Sequence, residues 1–108
     1  MPDSKDRPIT LTARAEEDND LYSLYFTGEL IMNTVPVFQQ AVAGALYRKK
    51  VILVFDAVDF VDSTGFSVIL ETMRTIQSNG GAMRVVAAAA KIRNLFRALF
   101  GEHLPVHT

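Results

Sequence analysis

Apolar and polar residues alternate in the first part of the chain, which indicates strands. Alternation over residues 9–14 and the aromatic run at residues 21–27 predict two strands paired as an antiparallel hairpin. The acidic residues 16–20 between them are dense in turn formers and are predicted to form the exposed turn. Gly28 and Glu29 are expected to end the second strand.

Apolar residues that recur every three or four positions predict three helices farther along the chain. The first helix is capped by Asn33 or Thr34, has Pro36 in its first turn and ends at the basic residues 48–50. The second ends at residues 79–81, where glycine permits the left-handed conformation that stops a helix. The third has an apolar stripe made of Ile92, Leu95, Phe96 and Leu99.

Strands are predicted to alternate with these helices. Residues 51–55, VILVF, are uniformly apolar and are expected to form a central strand covered on both faces. Residues 83–88 are predicted to form the next strand, and the tail at residues 103–108 a last short one. The alternation predicts one α/β domain with a mixed, mostly parallel sheet, an antiparallel N-terminal strand and crossover helices. This domain would span residues 1–108, with residues 1–8 as a flexible N-terminus.

Composition removes several classes of function. Hydrophobic residues make up 49% and charged residues 21% of the 108-residue chain, as in folded globular proteins. The net charge of -1 gives no electrostatic reason to expect nucleic acid or an anionic membrane as partner. The chain has no cysteine, which excludes disulfides and thiolate chemistry. No apolar run approaches the ~20 residues of a membrane span, so we expect a cytoplasmic protein without cofactors.

The sequence DSTG, residues 62–65, lies between the central strand and an apolar helical stripe that begins at Phe66. Functional groups of open α/β sheets gather at such places, beyond the carboxyl ends of strands. One interpretation is a helix cap, because Asp, Ser and Thr side chains bind the free N–H groups of a first turn. The other is a phosphorylation site, because the positive end of a helix dipole tolerates the charge of phosphoserine. The residues alone leave both interpretations open.

The chain resembles the STAS-domain anti-sigma-factor antagonists in three stretches: FTGEL, VILVFDAVDFVDSTGFSVIL and NGGAMRVVAAAAKIRNLFRALF. The resemblance runs over residues 9–106. It implies a STAS-like fold and a protein without catalysis of its own. In its unphosphorylated form such a protein binds an anti-sigma factor, which is also a serine kinase, and thereby releases the sigma factor. Phosphorylation switches this binding off, and a serine phosphatase restores it.

The resemblance implies the role of Ser63, and residue chemistry and position suggest the roles of four other residues. Ser63 follows the aspartate of the motif and would be the phosphoacceptor. Asp62 would position it, Thr64 would cap the helix, and Gly65 would leave room for the active site of the partner. Glu29 is expected to bind the partner on the same rim of the sheet.

The sequence departs from the family pattern in two places. Ile31 stands where the family usually has an aspartate after G-E-L, so the polar contact of that residue with the kinase is expected to be missing. The C-terminal helix that usually covers the sheet is expected to be short or absent. Either a second copy, as in a homodimer, or another subunit covers the apolar surface left open, or the chain is incomplete.

Three other functions compete with this one. Asp56 ends an apolar run as in a phospho-accepting receiver domain, but the acidic pair and the lysine that receivers need do not stand out. Residues 65–67 begin a hydrolase nucleophile elbow, but Ile69 occupies the place of the second glycine, and His103 and His107 make neither a base nor a metal site. We therefore expect no enzyme and no metal.

The strongest alternative is a STAS subunit of a transporter or signalling scaffold without phospho-switching.

Overall fold

The computed structural model describes residues 10–87, 90–100 and 106–107, which form one layer of helices on one sheet. The strands are β1 (Leu11–Asp18), β2 (Leu21–Leu30), β3 (Lys50–Val61), β4 (Ala82–Val86) and β5 (Val106–His107). The helices are α1 (Val35–Val42), α2 (Ser63–Ser78) and α3 (Ala90–Phe100), with short 3₁₀ turns at Met32–Thr34 and Ala43–Ala45. The sheet order is β1-β2-β3-β4-β5. β1 is antiparallel to β2 and all other neighbours are parallel, which confirms the predicted mixed sheet.

The three helices pack on the same face of the sheet. The parallel strands β2 to β5 lie side by side in the order in which they occur along the chain. Crossover connections between parallel strands share one handedness, so all three helices lie on the same side of the sheet. Phe38 of α1 stacks on Phe26 of β2, with 5.1 Å between ring centroids. Phe96 of α3 lies 5.8 Å from Phe55 of β3 and 5.1 Å from Phe66 of α2. All five rings belong to one buried core.

Helices cover only one face of β3 in the part of the chain that the structure describes. Val51, Leu53 and Phe55 are buried, whereas Ile52 and Val54 alternate with them and are half-buried on the opposite face. The prediction of a strand covered on both faces is therefore wrong. Branched apolar side chains also suit a partly exposed pleated surface, so a uniformly apolar run does not distinguish the two situations.

The hairpin turn is shorter than predicted. Asp18 pairs with Leu21, so the connection consists only of Asn19 and Asp20, and Asn19 has a φ of 55°. Residues 16–18 continue β1 instead of forming the turn, and that prediction is wrong. Each of these acidic residues has a partner opposite it on β2, and the backbone ladder holds the strand extended.

Two arginines offset the negative charge of this strand. Arg14 donates to the Glu16 carboxylate and holds the pKa of that carboxyl below its ordinary value. Arg48 donates to the Glu17 carboxylate and also lies over the Tyr22 ring, 4.7 Å from its centroid. Both ion pairs are exposed, so each contributes little to the free energy of unfolding.

β2 was predicted to end at Gly28 and Glu29. Instead it continues to Leu30, with an irregularity in its pairing with β3 between Gly28 and Glu29. Gly28 has a φ of 120°, and a Cβ atom there would lie 2.1 Å from the carbonyl oxygen of Thr10. The close approach lets the Glu29 N–H donate to that same oxygen at 2.9 Å. Gly28 is therefore the residue that lets the strand bend and still reach the edge of the sheet.

The ends of α1 and α2 differ in how well the sequence predicts them. Thr34 occupies the N-cap position of α1 and Pro36 its first turn, as predicted, but the Thr34 side chain makes no capping hydrogen bond to that helix. The helix ends well before residues 48–50, because a 3₁₀ turn containing Gly44 follows it and Lys50 already belongs to β3. The predicted stop of α2 is confirmed, since Gly80 has a φ of 88° at the end of that helix.

The remaining elements agree with the predictions where the structure describes them. β4, α3 and the short β5 lie at the predicted places. Residues 1–8, predicted to be flexible, and most of the tail lie outside the described residues. Among the helices that the structure describes, none is long and apolar enough to cross a membrane.

We expect Gly28→Ala to lower the free energy of unfolding by about 2–4 kcal/mol, because alanine is strained at this φ and its Cβ overlaps the Thr10 carbonyl. Urea denaturation measures the difference. Gly44→Ala is the control, since a Cβ there would lie 3.2 Å from the Tyr22 hydroxyl and close to no backbone atom of another segment, and its expected cost is below about 1 kcal/mol. Equal costs for the two variants would contradict the role given to Gly28.

Candidate functional site

Asp62 joins two separate segments at the carboxyl edge of the sheet. It is the N-cap of α2, with an extended backbone, and its Oδ1 accepts a hydrogen bond from the Gly65 N–H at 2.8 Å. Its Oδ2 accepts from the Met32 N–H at 3.0 Å. One carboxylate therefore satisfies a free N–H of the first helical turn and also holds the segment that follows β2.

The backbone brings these segments together before the side chain acts. β2 and β3 run parallel, and Leu30 pairs with Val61 at their carboxyl ends. The Asp62 N–H extends this pairing by donating to the Leu30 carbonyl oxygen at 3.1 Å. The sequence elements GEL and DSTG, far apart along the chain, thus meet at one edge.

Thr34 fixes the segment between β2 and α1. Its buried Oγ1 accepts from the Ile31 N–H at 2.9 Å and donates to the Glu29 carbonyl oxygen at 2.7 Å. Ile31 is half-buried and has an extended backbone. The local turn is therefore held by the threonine hydroxyl, without a carboxylate at position 31.

Ser63 is the first residue of α2, and its side chain is exposed. α2 has 16 residues, so this hydroxyl lies at the positive end of a long helix dipole. Thr64 is the next residue of the helix and is half-buried. Its predicted capping role is wrong, because the N-cap is Asp62 and the capping bond runs from the Gly65 N–H to that carboxylate.

Gly65 is buried between the helix and the sheet. A Cβ atom there would lie 2.5 Å from the Leu30 carbonyl oxygen and 2.9 Å from Val61 Cγ1. Only a residue without a side chain lets the first turn of α2 pack directly on the ends of β2 and β3. Packing is thus a different reason for glycine from the predicted one, which was access for a partner.

The edge around Ser63 is acidic. Residues 27–34 and 58–66 contain Glu29, Asp59 and Asp62 and no lysine, arginine or histidine. Glu29 is half-buried at the end of β2, on the predicted rim, next to the partner strand that leads to Asp62. A negative group added at Ser63 would therefore increase a charge that no nearby side chain in these stretches offsets.

Two exposed apolar side chains flank this acidic edge, and sequence analysis did not single them out. Met32 is 66% exposed and Phe60 is 45% exposed. The contact of Met32 with Asp62 spans 30 residues along the chain, so no local pattern indicates it. Phe60 belongs to a part of β3 that was not predicted as strand, so its outward orientation could not be anticipated.

The described residues contain no group of three or more His, Cys, Asp or Glu side chains that could hold a metal ion. The chemically distinctive groups at this edge are therefore a hydroxyl, a bridging carboxylate and two apolar side chains.

Known families and structures resemble this chain over most of its length. A model of the STAS domain matches residues 12–103. An anti-sigma factor antagonist from Mycobacterium paratuberculosis has the same fold, with a TM-score of 0.83 and 21% identity, covering 93% of this chain and 87% of that one. The Bacillus cell fate determinant SpoIIAA in its phosphorylated form gives a TM-score of 0.68 at 20% identity, covering 90% and 92%.

An anion transporter also contains this fold. The murine anion transporter Solute Carrier 26 family member A9 matches with a TM-score of 0.67 and 21% identity. The match covers 79% of this chain but only 14% of the transporter. At these identities the three structures show the fold alone.

We expect Asp62→Ala to lower the free energy of unfolding by about 2 kcal/mol, because two backbone N–H groups lose their acceptor. Asp62→Asn should lose about half as much, since its oxygen can still accept from Gly65 while its NH₂ cannot accept from Met32. Ser63→Ala is the control and should change stability by less than about 0.5 kcal/mol. Urea denaturation of the three variants measures this order, and an Asp62→Ala variant as stable as Ser63→Ala would contradict the bridging role.

Proposed function

The chain belongs to the STAS domain family, and on that premise we propose that it is an anti-sigma-factor antagonist switched by phosphorylation of Ser63. The unphosphorylated form binds an anti-sigma factor with serine kinase activity and so releases a sigma factor. The phosphorylated form does not bind, and a serine phosphatase restores it. This function requires no catalysis by the chain itself and places it in the cytoplasm, where transcription is regulated.

The observation that carries the proposal is the exposed hydroxyl of Ser63 at the first position of α2. The cap of the helix does not depend on this hydroxyl, because Asp62 supplies it. A kinase can therefore esterify Ser63 without removing a structural hydrogen bond. The positive end of the helix dipole offsets part of the added charge, so the domain stays folded.

The acidic edge explains why phosphorylation would weaken binding instead of strengthening it. A phosphate at Ser63 adds a charge of about -1.5 to -2 beside Glu29, Asp59 and Asp62. A partner surface that fits the neutral hydroxyl must then desolvate a dianion and approach a more negative surface. A loss of about 2.7 kcal/mol in binding free energy lowers the affinity a hundredfold, and one buried phosphate suffices for that.

The similar structures support the proposal in two ways. One of them is an anti-sigma factor antagonist that covers nearly the whole chain, and another is a phosphorylated protein of the same fold. Glu29, Asp62 and Thr64 form the surface that we assign to the kinase, and the buried Gly65 lies beneath it. Asp62 contributes by holding Ser63 at the start of the helix.

The transporter match favours a second candidate, a STAS module that acts as a fixed subunit. Such a module would bind its neighbour through the same edge and would not need a phosphorylatable residue. The two candidates differ in whether Ser63 accepts phosphate and whether that phosphate changes binding.

The protein is incubated with ATP and, one at a time, with each purified anti-sigma factor kinase encoded by the same genome. We expect one of these kinases to place phosphate on Ser63. Mass spectrometry of the digested protein locates the modified residue. Ser67→Ala is the matched control, because Ser67 is also an exposed serine of α2, one turn farther along, and its loss should leave phosphorylation unchanged. Phosphate that persists in Ser63→Ala, or that never forms with any kinase, would contradict the proposal.

We expect Ser63→Ala to bind its anti-sigma factor as tightly as the parent and to stay bound in the presence of ATP, because it cannot accept phosphate. Ser63→Asp should bind at least about tenfold more weakly, since a carboxylate carries part of the charge of a phosphate. Isothermal titration calorimetry measures both. If both variants bound like the parent with ATP present, the fixed-subunit function would be favoured instead.

A further inference from the structure

We infer that the open face of the sheet, which lies opposite the helices, packs against the same face of a second copy of this chain. A two-fold axis parallel to the strands relates the two copies, and Glu16 of one copy pairs with Arg84 of the other. This inference does not rest on the proposed function. Ser63 begins a helix on the other side of the sheet, so the dimer would present two such sites on its outer surfaces.

The side chains of the open face form a regular grid. Residues that pair across neighbouring strands point to the same face, and along one strand every second residue does so. The registers of β1 to β4 therefore align twelve residues in three rows of four. Read from β1 to β4, the rows are Asp18, Leu21, Lys50 and Ala82; Glu16, Ser23, Ile52 and Arg84; and Arg14, Tyr25, Val54 and Val86.

The grid has an apolar centre and a charged border. Leu21, Tyr25, Ile52 and Val54 lie on the two central strands and are half-buried. Five exposed charged residues surround them, namely Arg14, Glu16 and Asp18 on β1, Lys50 on β3 and Arg84 on β4. Specific protein interfaces have this composition, with little charge at the centre and a polar rim.

The positions of the charges select a second copy of the chain in one orientation. Glu16 and Arg84 lie at opposite ends of the same row. A two-fold axis parallel to the strands and between β2 and β3 places β1 of one copy over β4 of the other, so each Glu16 lies over an Arg84. A two-fold axis across the strands would place Glu16 over Glu16 and Arg84 over Arg84. Repulsion between like charges disfavours that second orientation.

Arg84 is available for such a pair. Its side chain is exposed and makes no hydrogen bond or ion pair with the residues that the structure describes. Glu16 already accepts from Arg14, but a carboxylate has two oxygens and can accept from both arginines.

A hollow beside Arg84 offers a place for the incoming carboxylate. The hollow has a volume of about 330 Å³, and its lining includes Lys50 and Arg84 together with the apolar side chains of Leu21 and Ile52. In the dimer, Glu16 of the second copy lies over this hollow and meets two cations there. Side chains of facing sheets interdigitate in this way when the sheets pack about 10 Å apart.

The area of the open face sets the expected strength of the dimer. Strands spaced by about 4.8 Å, with rows about 6.7 Å apart, make a grid of roughly 19 by 20 Å. The ends of β2 and β3 extend this face as far as the exposed Phe60, so each copy contributes roughly 500 Å². A total of about 1,000 Å² is the lower limit of specific interfaces. Asp56 and Glu29 above the grid repel their counterparts, so we expect a dissociation constant of about 10–100 µM.

Sedimentation equilibrium of the whole chain at about 10 to 500 µM tests the inference. The parent should dimerise over this range. Glu16→Arg and Arg84→Glu should each weaken dimerisation at least about tenfold, because every dimer then holds two pairs of like charges. The variant that carries both substitutions restores opposite charges and should dimerise within about threefold of the parent.

Arg74→Glu is the matched control. Arg74 is also an exposed arginine, but it belongs to α2 on the other side of the sheet, so its replacement should leave the dimer unchanged. Circular dichroism confirms that all variants fold. A parent that stays monomeric at about 500 µM would overturn the inference and indicate another occupant of the open face. A dimer that Arg84→Glu leaves intact, or that the double variant does not restore, would also overturn it, because the dimer would then use another surface.

Discussion

The hydrogen bonds of the Asp62 carboxylate are the interaction on which the rest of this site depends. One oxygen accepts from the first turn of α2, and the other accepts from the segment after β2. Without them the start of the helix and the end of β2 would be joined mainly by the backbone bond from Asp62 to Leu30. Because Asp62 supplies the cap, the neighbouring Ser63 is free to face solvent and to change its chemistry.

This arrangement separates the duties of adjacent residues. Asp62 caps the helix, and Gly65 lets it pack against β2 and β3. Ser63 lies between them, and its hydroxyl does not supply the cap. A phosphorylation site that also capped its own helix would risk unfolding when modified. In the proposed function, phosphorylation of Ser63 would change the charge of the surface while the hydrogen bonds of Asp62 and the packing of Gly65 remain.

The order of elements and the place of the site were predictable from the sequence, because both rest on local signals. Period changes locate the helices and strands, Gly80 marks the end of α2, and the DSTG stretch stands out between two apolar runs. The resemblance to STAS antagonists then singled out Ser63 among the small polar residues. The family match over residues 12–103 and the mixed sheet confirm the predicted family and fold, whereas the role of Ser63 stays a prediction.

Several of the predictions that were wrong depend on how the chain folds beyond a short stretch of sequence. The cap was assigned to Thr64 because threonine is a good capping residue, but the path of β3 places Asp62 at that position. The acidic residues 16–18 look like a turn, yet pairing with β2 keeps them extended. Gly65 was predicted to lie at the surface, but a Cβ atom there would be only 2.5 Å from the Leu30 carbonyl oxygen. Such close approaches are set by the tertiary fold, which no short window of sequence contains.

Amide hydrogen exchange, followed by NMR spectroscopy in the parent protein and in Asp62→Asn, tests the bridging carboxylate most directly. The amides of Met32 and Gly65 should both exchange more slowly than their intrinsic rates in the parent. In Asp62→Asn the Met32 amide should lose this protection, while the Gly65 amide keeps most of it. If both amides exchanged at intrinsic rates in the parent, Asp62 would not join the two segments, and the explanation of how Ser63 is presented would be wrong.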